Sequence, residues 1–359
     1  MRSCATHPNR STVSWRSPMH RGSGSRLIGT GSSVMPFVDA AAPGTKSIFV
    51  AGGLGFVGSH IVRALVHAGD RPVVFGPAMA EDRLADIAGR YDVFEGSITD
   101  PDALDAAFAR FRPEKAVSCV AHGVGKQGLM RAGEAETDIA FEINLTGHRR
   151  FLDAACRAGV KRIVWTGSAV VYGPASAYPT SHVDEDAPAG PTTVYGVTKQ
   201  LAEALSDFMI RRHGVEIVSM RLPLILGPGL WYQGAASAIS EIFTAARDGR
   251  PTSVTFHDHA VDLMHVVDAA AATAAALRHA GPLRSAYNIK GFEARISDII
   301  ATARTRRPST AVTLDPIEPA LLLPLMDGRR FMAETGFAPR YDLGAVADDL
   351  LDAAEQNHD

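Results

Sequence analysis

Tyr195 and Lys199 stand four residues apart in TTVYGVTKQLAEAL, Thr192 to Leu205, a segment that opens like a helix. On a helix that interval puts both side chains on one face, where they can reach the same ligand. A phenol with its ordinary pKa of about 10 is a poor base at neutral pH. A neighbouring ammonium and a helix N-terminus both favour its phenolate, so the pair could take a proton from a hydroxyl or return one to a carbonyl oxygen. Ser168, in WTGSAVVYG (Trp165 to Gly173), has the hydroxyl to hold that same oxygen. Taken alone, the Tyr–Lys spacing also fits a half-buried aromatic beside a solvated charge.

Oxidising an alcohol needs a second acceptor, for the hydride, and VAGGLGFVGSH (Val50 to His60) offers a place for one. Gly52, Gly55 and Gly58 follow the apolar run Ile48, Phe49, Val50 and precede a helical pattern. The first glycine allows a tight turn out of a strand, the second lets a pyrophosphate approach the backbone, and the third lets helix and strand pack closely. The helix starting at Phe56 and Val57 then turns its free N–H groups toward the phosphates. A nicotinamide dinucleotide held there would make the tyrosine's proton chemistry one half of a hydride transfer. At the end of the second strand, where an acid would take the ribose 2′-OH and an Arg a 2′-phosphate, the chain has Gly76 and then Pro77. NAD is the expected cofactor, with NADP not excluded.

The elements needed to position these groups are legible as alternating apolar runs and amphipathic segments. Strands are expected at Ser47 to Ala51, Pro72 to Phe75, Tyr91 to Glu95, Ala116 to Val120, Arg162 to Thr166 and Glu216 to Arg221. Asp100-Pro101 caps a helix with Leu104, Ala107, Phe108 and Phe111 on its buried stripe, and a longer helix runs from about Glu134 to Ala158, stopped by Gly159. Strands separated by helices predict an α/β fold with a doubly wound parallel sheet, the Rossmann arrangement, over 46–223. After Gly227-Pro228-Gly229 the alternation is irregular. A helix at Ala235 to Asp248, strands at Ala260 to His265 and Tyr287 to Lys290, and an Ala-rich helix from Asp268 make 224–359 a smaller α/β substrate-binding region, some of whose helices return to the first domain. The 19-residue link Pro174 to Thr192 is long enough to cover a site.

Composition narrows the partners. With 36 basic against 39 acidic residues, a net charge of -3 and no basic cluster beside aromatics, nucleic acid is not expected. No run of eighteen apolar residues suggests a membrane span. Cys4, Cys119 and Cys156 have no ligand spacing and read as reduced thiols of a cytoplasmic protein. The first 38 residues hold five arginines and no acid, so 1–45 is expected to be a disordered extension, or alternatively a transit peptide, with Met35 as a possible start.

The GxxGxxG spacing resembles the short-chain dehydrogenase/reductase superfamily, and GGLGFVGSH is similar to its extended, NAD-dependent epimerase/dehydratase branch. Four further blocks are similar: FEINLTGHRRFLDAACRAGVKRIVW, VDEDAPAGPTTVYGVTK, RLPLILGPG and LMHVVDAA. The family order of glycine loop, Asn, Ser, Tyr and Lys is matched by Gly52 to Gly58, Asn144, Ser168, Tyr195 and Lys199. The resemblance implies that Tyr195 is the general acid/base, that Lys199 tunes it and holds the ribose, and that Asn144 supports the site. It further implies cofactor contacts at Ser97, Ile98, Ala121 and Pro223, and a homodimer built through helices at about 134–158 and 195–213. The chain departs from the family at Ala51, usually Thr, and at Ser97, usually Asp.

Substrate positions depart further. Leu224 and Val261 stand where members acting on nucleotide sugars carry Asn and Arg, and apolar side chains cannot replace those diphosphate contacts. Ala169 and Val170 replace the acid pair of dehydratases. The expected reaction is therefore hydride transfer between the cofactor and a secondary alcohol or ketone of a sugar, sugar acid or polyol. The alternatives are a nucleotide-sugar 4-epimerase of the UDP-glucose 4-epimerase type, and a non-catalytic NADP-sensing regulator. Lys126, Gln127 and Trp231, with Ser168, are the candidate substrate contacts, Lys126 toward a carboxylate; Tyr232 and Gln233 could also line the pocket or pack a domain boundary. His257, Asp258, His259, Asp262 and His265 lack tight ligand spacing, and no metal is expected.

Overall fold

The computed structural model describes residues 47–352 apart from Ala80 and Val124, so the extension 1–45 and Cys4 lie outside the described residues. The chain alternates β1 (Ser47–Ala51), α1 (Phe56–His67), β2 (Arg71–Gly76), β3 (Asp92–Glu95), α2 (Pro101–Phe111) and β4 (Lys115–Ser118). It continues through α3 (Leu129–Ala135), α4 (Thr137–Phe141), a π-helical turn at Glu142–Gly147, α5 (His148–Arg157) and β5 (Arg162–Ser168). Then come β6 (His182–Val183), α6 (Val194–His213), β7 (Glu216–Leu222), β8 (Leu224–Leu226), α7 (Ala235–Arg247), β9 (Thr252–Phe256), β10 (Val261–His265) and α8 (Val266–Arg278). The last elements are β11 (Ala286–Asn288), β12 (Phe292–Ala294), α9 (Ile296–Arg306), β13 (Val312–Pro316), β14 (Leu325–Met326), α10 (Arg329–Thr335) and α11 (Leu343–Asp352).

Seven strands form one sheet in the order β11-β7-β5-β4-β1-β2-β3, parallel throughout. The strand order reverses between β1 and β4, which opens a crevice beyond their C-terminal ends. Alternation along β1 shows how both faces are covered: Ile48 and Val50 pack with α1 and α8, while Phe49 and Ala51 pack with α2, α5 and α6. On the second face Phe49 stacks on Phe108 with centroids 4.3 Å apart, and Phe75 and Phe151 complete the aromatic layer.

Three differences from the sequence reading matter for the site. The segment Tyr287 to Lys290 does not belong to an appended region: as β11 it extends the main sheet beside β7, with Tyr287 fully buried. The single helix expected from Glu134 to Ala158 is interrupted at Glu136 and widened by the π turn. Such turns interrupt the i to i−4 ladder and are frequent at functional sites; here the turn carries buried Asn144. Finally, β8, β10 and β12 make a small sheet of their own, and β9 pairs with β13, over a core shared by α7, α9 and α11.

Candidate active site

The glycine loop is shaped by close backbone approach. Gly52 has φ +76°, which L side chains rarely adopt, and its N–H donates to Phe75 O across to β2 at 2.8 Å. A Cβ on Gly58 would lie 2.1 Å from Gly52 O, so any side chain there would force α1 away from the strand. Gly55 is the N-cap of α1, and no side chain caps that end. The amides of the first turn are therefore left for a ligand, and bare Gly55 and Gly76 keep the approach open, which fits a dinucleotide phosphate.

Across the crevice, β5 ends at Ser168 and α6 begins under Thr193, whose hydroxyl accepts the Gly196 N–H at 3.1 Å. This places Tyr195 in the first turn and Lys199 one turn later, as the spacing predicted. Tyr195 is buried and hydrogen-bonded to Ser168. Burial lifts its phenol well above the ordinary tyrosine range, the neighbouring Tyr232 lifts it further, and Ser168 pulls it back. Lys199 Nζ lies 5.5 Å from the Tyr195 ring centroid and donates to Thr166 O at 2.8 Å. Burial also lowers Lys199, to about 8, against the opposing pull of Cys119 and Glu203. The expected depression of the phenol by its ammonium neighbour does not emerge in the protein alone, where desolvation governs the phenol and Ser168 supplies the opposing pull.

Asn144 holds two elements at once: its Oδ1 accepts the His122 N–H at 2.7 Å and its Nδ2 donates to Thr198 Oγ1 at 3.1 Å. Thr198 in turn donates to Tyr195 O at 2.8 Å. The loop after β4 is thereby tied to the helix that carries Tyr195 and Lys199. Removing this buried amide leaves the His122 N–H unsatisfied and takes a donor from Thr198 Oγ1, typically about 1–3 kcal/mol.

A strap, residues 227–234, crosses from the C-terminal part toward the glycine loop. His60 Nε2 meets Pro228 O at 3.1 Å, and burial lowers the His60 imidazole to about 4, leaving it neutral and able to donate. Arg83 Nη1 donates to Gly229 O at 2.9 Å, and its guanidinium stacks over Trp231 at 3.9 Å. Tyr232 packs edge-on to Phe56, the first residue of α1, with centroids 6.3 Å apart. Trp231 is thus half-buried against Arg83, whereas Tyr232 is the strap residue close enough to act on Tyr195.

The other predicted positions are distributed as follows. Val57 and Gly76 flank the glycine loop, half-buried. Ser97 is exposed and pairs with Thr99 at 2.7 Å, while the Ile98 side chain is buried against Gly147. Ala121 and Pro223 follow β4 and β7 at the C-terminal edge of the sheet, half-buried. Lys126 and Gln127 are exposed in the loop after β4, next to the strap. Arg83 and Thr198 were not foreseen, whereas His122 is expected from the sequence as a loop or cofactor-edge residue after the fourth strand. Thr198 lies one helical turn from Tyr195, a usable signal; the reach of Arg83 to the strap has no local signature.

The histidine-rich segment does not gather. Asp258 accepts the Ser297 N–H, Asp262 faces Lys290 at 3.1 Å and the Met326 N–H, and His265 Nε2 meets Asp349 at 3.1 Å. Among the described residues no three His, Cys, Asp or Glu side chains are placed to hold a metal ion. Cys119 and Cys156 are free thiols, and burial pushes Cys119 up to about 12.

Comparison with known proteins agrees with this geometry. The family model of the NAD dependent epimerase/dehydratase family matches residues 48–289. The chain belongs to that family. It is 34% identical over 170 residues to the UDP-glucose 4-epimerase of Bacillus subtilis (strain 168), a match spanning 44% of this chain and 46% of that relative. Its fold is shared with the UDP-glucose 4-epimerase of Thermus thermophilus solved with NAD, at TM-score 0.73 and 22% identity, covering 86% of this chain and 100% of the other. It is shared equally with an L-threonine dehydrogenase from Cupriavidus necator, at TM-score 0.74 and 23% identity, with the same coverage. Family members are NAD-dependent enzymes, and no described helix is long and apolar enough to cross a membrane.

Proposed function

We propose that the protein is an NAD-dependent oxidoreductase that transfers hydride between the cofactor and a secondary alcohol or ketone on a small sugar, sugar acid or related polyol. The observation that carries this reading is the buried Tyr195, hydrogen-bonded to Ser168 with Lys199 beneath it, at the crevice entered by the glycine loop. NAD, when bound, supplies the hydride acceptor. Ser168 holds the substrate oxygen, and Tyr195 takes the hydroxyl proton as the C–H bond gives up its hydride, so the alcohol loses two electrons and becomes a ketone. Lys199 carries the positive charge that the phenolate needs at that moment, and the surrounding burial keeps water from competing for either group. In the reverse direction Tyr195 returns the proton.

Leu224 and Val261 support a small substrate: both pack against the C-terminal hydrophobic core, where a nucleotide diphosphate would require polar partners. A nucleotide-sugar 4-epimerase is the second reading, favoured by the relatives whose printed activity is UDP-glucose 4-epimerase. A homodimer through α3 to α6 accompanies either reading, with Ile139, Leu201 and Phe208 exposed on those helices and light scattering as its check.

A panel of sugar acids, polyols, L-threonine and UDP-glucose with NAD or NADP tests the reading. Net formation of reduced cofactor supports the dehydrogenase; isomer interconversion without free reduced cofactor supports the epimerase. Tyr195→Phe should lower turnover by about a thousandfold, within the usual range for loss of a general base, while cofactor affinity changes less than about threefold. Unchanged turnover in that variant would remove the mechanism.

A further inference from the structure

The loop after β4 and the strap run side by side. Gln233 N donates to Lys126 O at 2.5 Å, and Gly128 N donates to Gln233 O at 2.7 Å, the bonding of a parallel bridge between Gln127 and Gln233. Side chains alternate across such a bridge, so Gln127 and Gln233 share one face while Lys126 and Tyr232 share the other. The next pair is Gly128 and Gly234, where the two backbones approach so closely that a Cβ on Gly128 would lie 2.9 Å from Gln233 O. Tyr232 is half-buried against Phe56 at the glycine loop, yet its hydroxyl has no hydrogen-bond partner among the described residues, and Lys126 forms no ion pair among them. One phenolic donor and one ammonium-bearing side chain therefore leave the bridge on the same face, and Tyr232 lies close enough to Tyr195 to act on it.

We propose that Lys126 and Tyr232 form an anion-recognition end of the substrate pocket, so that the substrate is a small hydroxy acid whose carboxylate they bind while its hydroxyl meets Tyr195 and Ser168. The proposal rests on the oxidoreductase reading above. A carboxylate fits better than a diphosphate, because a flexible ammonium and a single phenol cannot give the bidentate contacts that arginine provides. The nearby guanidinium of Arg83 gives Nη1 to Gly229 O and Nη2 to Glu81 and lies over Trp231, with its buried Nε left without a partner among the described residues.

The test compares L-threonine, 3-hydroxybutyrate and D-glucuronate with their methyl esters, in wild type, Lys126→Met, Lys126→Arg, Tyr232→Phe and Tyr195→Phe, following reduced cofactor. Lys126→Met should raise KM for the acids turned over by about tenfold, leave kcat within about twofold, and leave KM for the esters unmoved; Tyr232→Phe should raise KM for the acids by about tenfold more than KM for the esters, and Lys126→Arg should retain most of the acid preference. Equal effects on acid and ester, or a wild type that prefers esters or UDP-glucose, would overturn this assignment while turnover lost in Tyr195→Phe keeps the parent reading. Absence of turnover with every compound, or turnover that survives in Tyr195→Phe, would instead bring down the oxidoreductase reading and this proposal with it.

Discussion

Between Val50 and His60 the constraints come mainly from neighbours in sequence: Gly55 N–H on Gly52 O, Ser59 N–H on Gly55 O, and a Gly58 Cα with no room for a methyl group. Between Gly227 and Gly234 much of the restraint comes from far away. Pro228 is held by His60, 168 residues earlier, Gly229 by Arg83, 146 residues earlier, and Gln233 by the loop after β4. The first wall of the crevice is a local motif whose shape fits a dinucleotide phosphate. The second is assembled by tertiary contacts between segments far apart in the sequence.

If the comparison is right, the two walls should fail differently. The largest effect is expected from Gly58→Ala. Pushing α1 off the loop should weaken NAD binding by about a hundredfold or more, measured by calorimetry with circular dichroism to confirm the fold. Near-normal binding would break the contrast. A smaller effect is expected in the pH profile of kcat/KM, which reports groups of the free enzyme. Lys199 is charged below its lowered pKa of about 8 and loses that charge as pH rises through it. Oxidation should therefore decline above that pH by up to about tenfold per unit, and Lys199→Arg, which stays charged, should lose that limb. The smallest effect is expected from Arg83→Met, which frees the strap from one hydrogen bond and one stacked cation. KM for the substrate should rise about threefold with kcat and NAD affinity unchanged, in keeping with about 1 kcal/mol for contacts of this kind.

Legibility followed the same division. Ser47 to Ala51 was read as the first strand with its ends in place, because an apolar run bounded by glycines has few alternatives, and Asp100-Pro101 was read as a helix start because its cap chemistry is local. Tyr195 and Lys199 were placed on one helix face by spacing alone. The π turn was not visible: weak helix formers such as Asn144, Thr146 and Gly147 do not by themselves mark a widened turn, and the widening serves Asn144, whose partners His122 and Thr198 lie in other elements. Nor was it visible that Tyr287 joins the main sheet, since its neighbour β7 lies some seventy residues away by the numbering and no pattern within β11 names that partner. Asp262 shows the same limit. The cation that faces it, Lys290, comes from another segment of chain, so the absence of arginine at Val261 said nothing about how that carboxylate would be neutralised.

By itself the amino-acid sequence determined the glycine loop, the alternation that makes a parallel sheet, and the helical interval between Tyr195 and Lys199, because each depends on sterics or periodicity over a few residues. Only the tertiary structure decided which residue of the strap faces the catalytic phenol, how far burial shifts the phenol and its lysine, and that Lys126 and Tyr232 are neighbours. Those outcomes depend on desolvation and on backbone pairing between segments about a hundred residues apart, and no local preference encodes either.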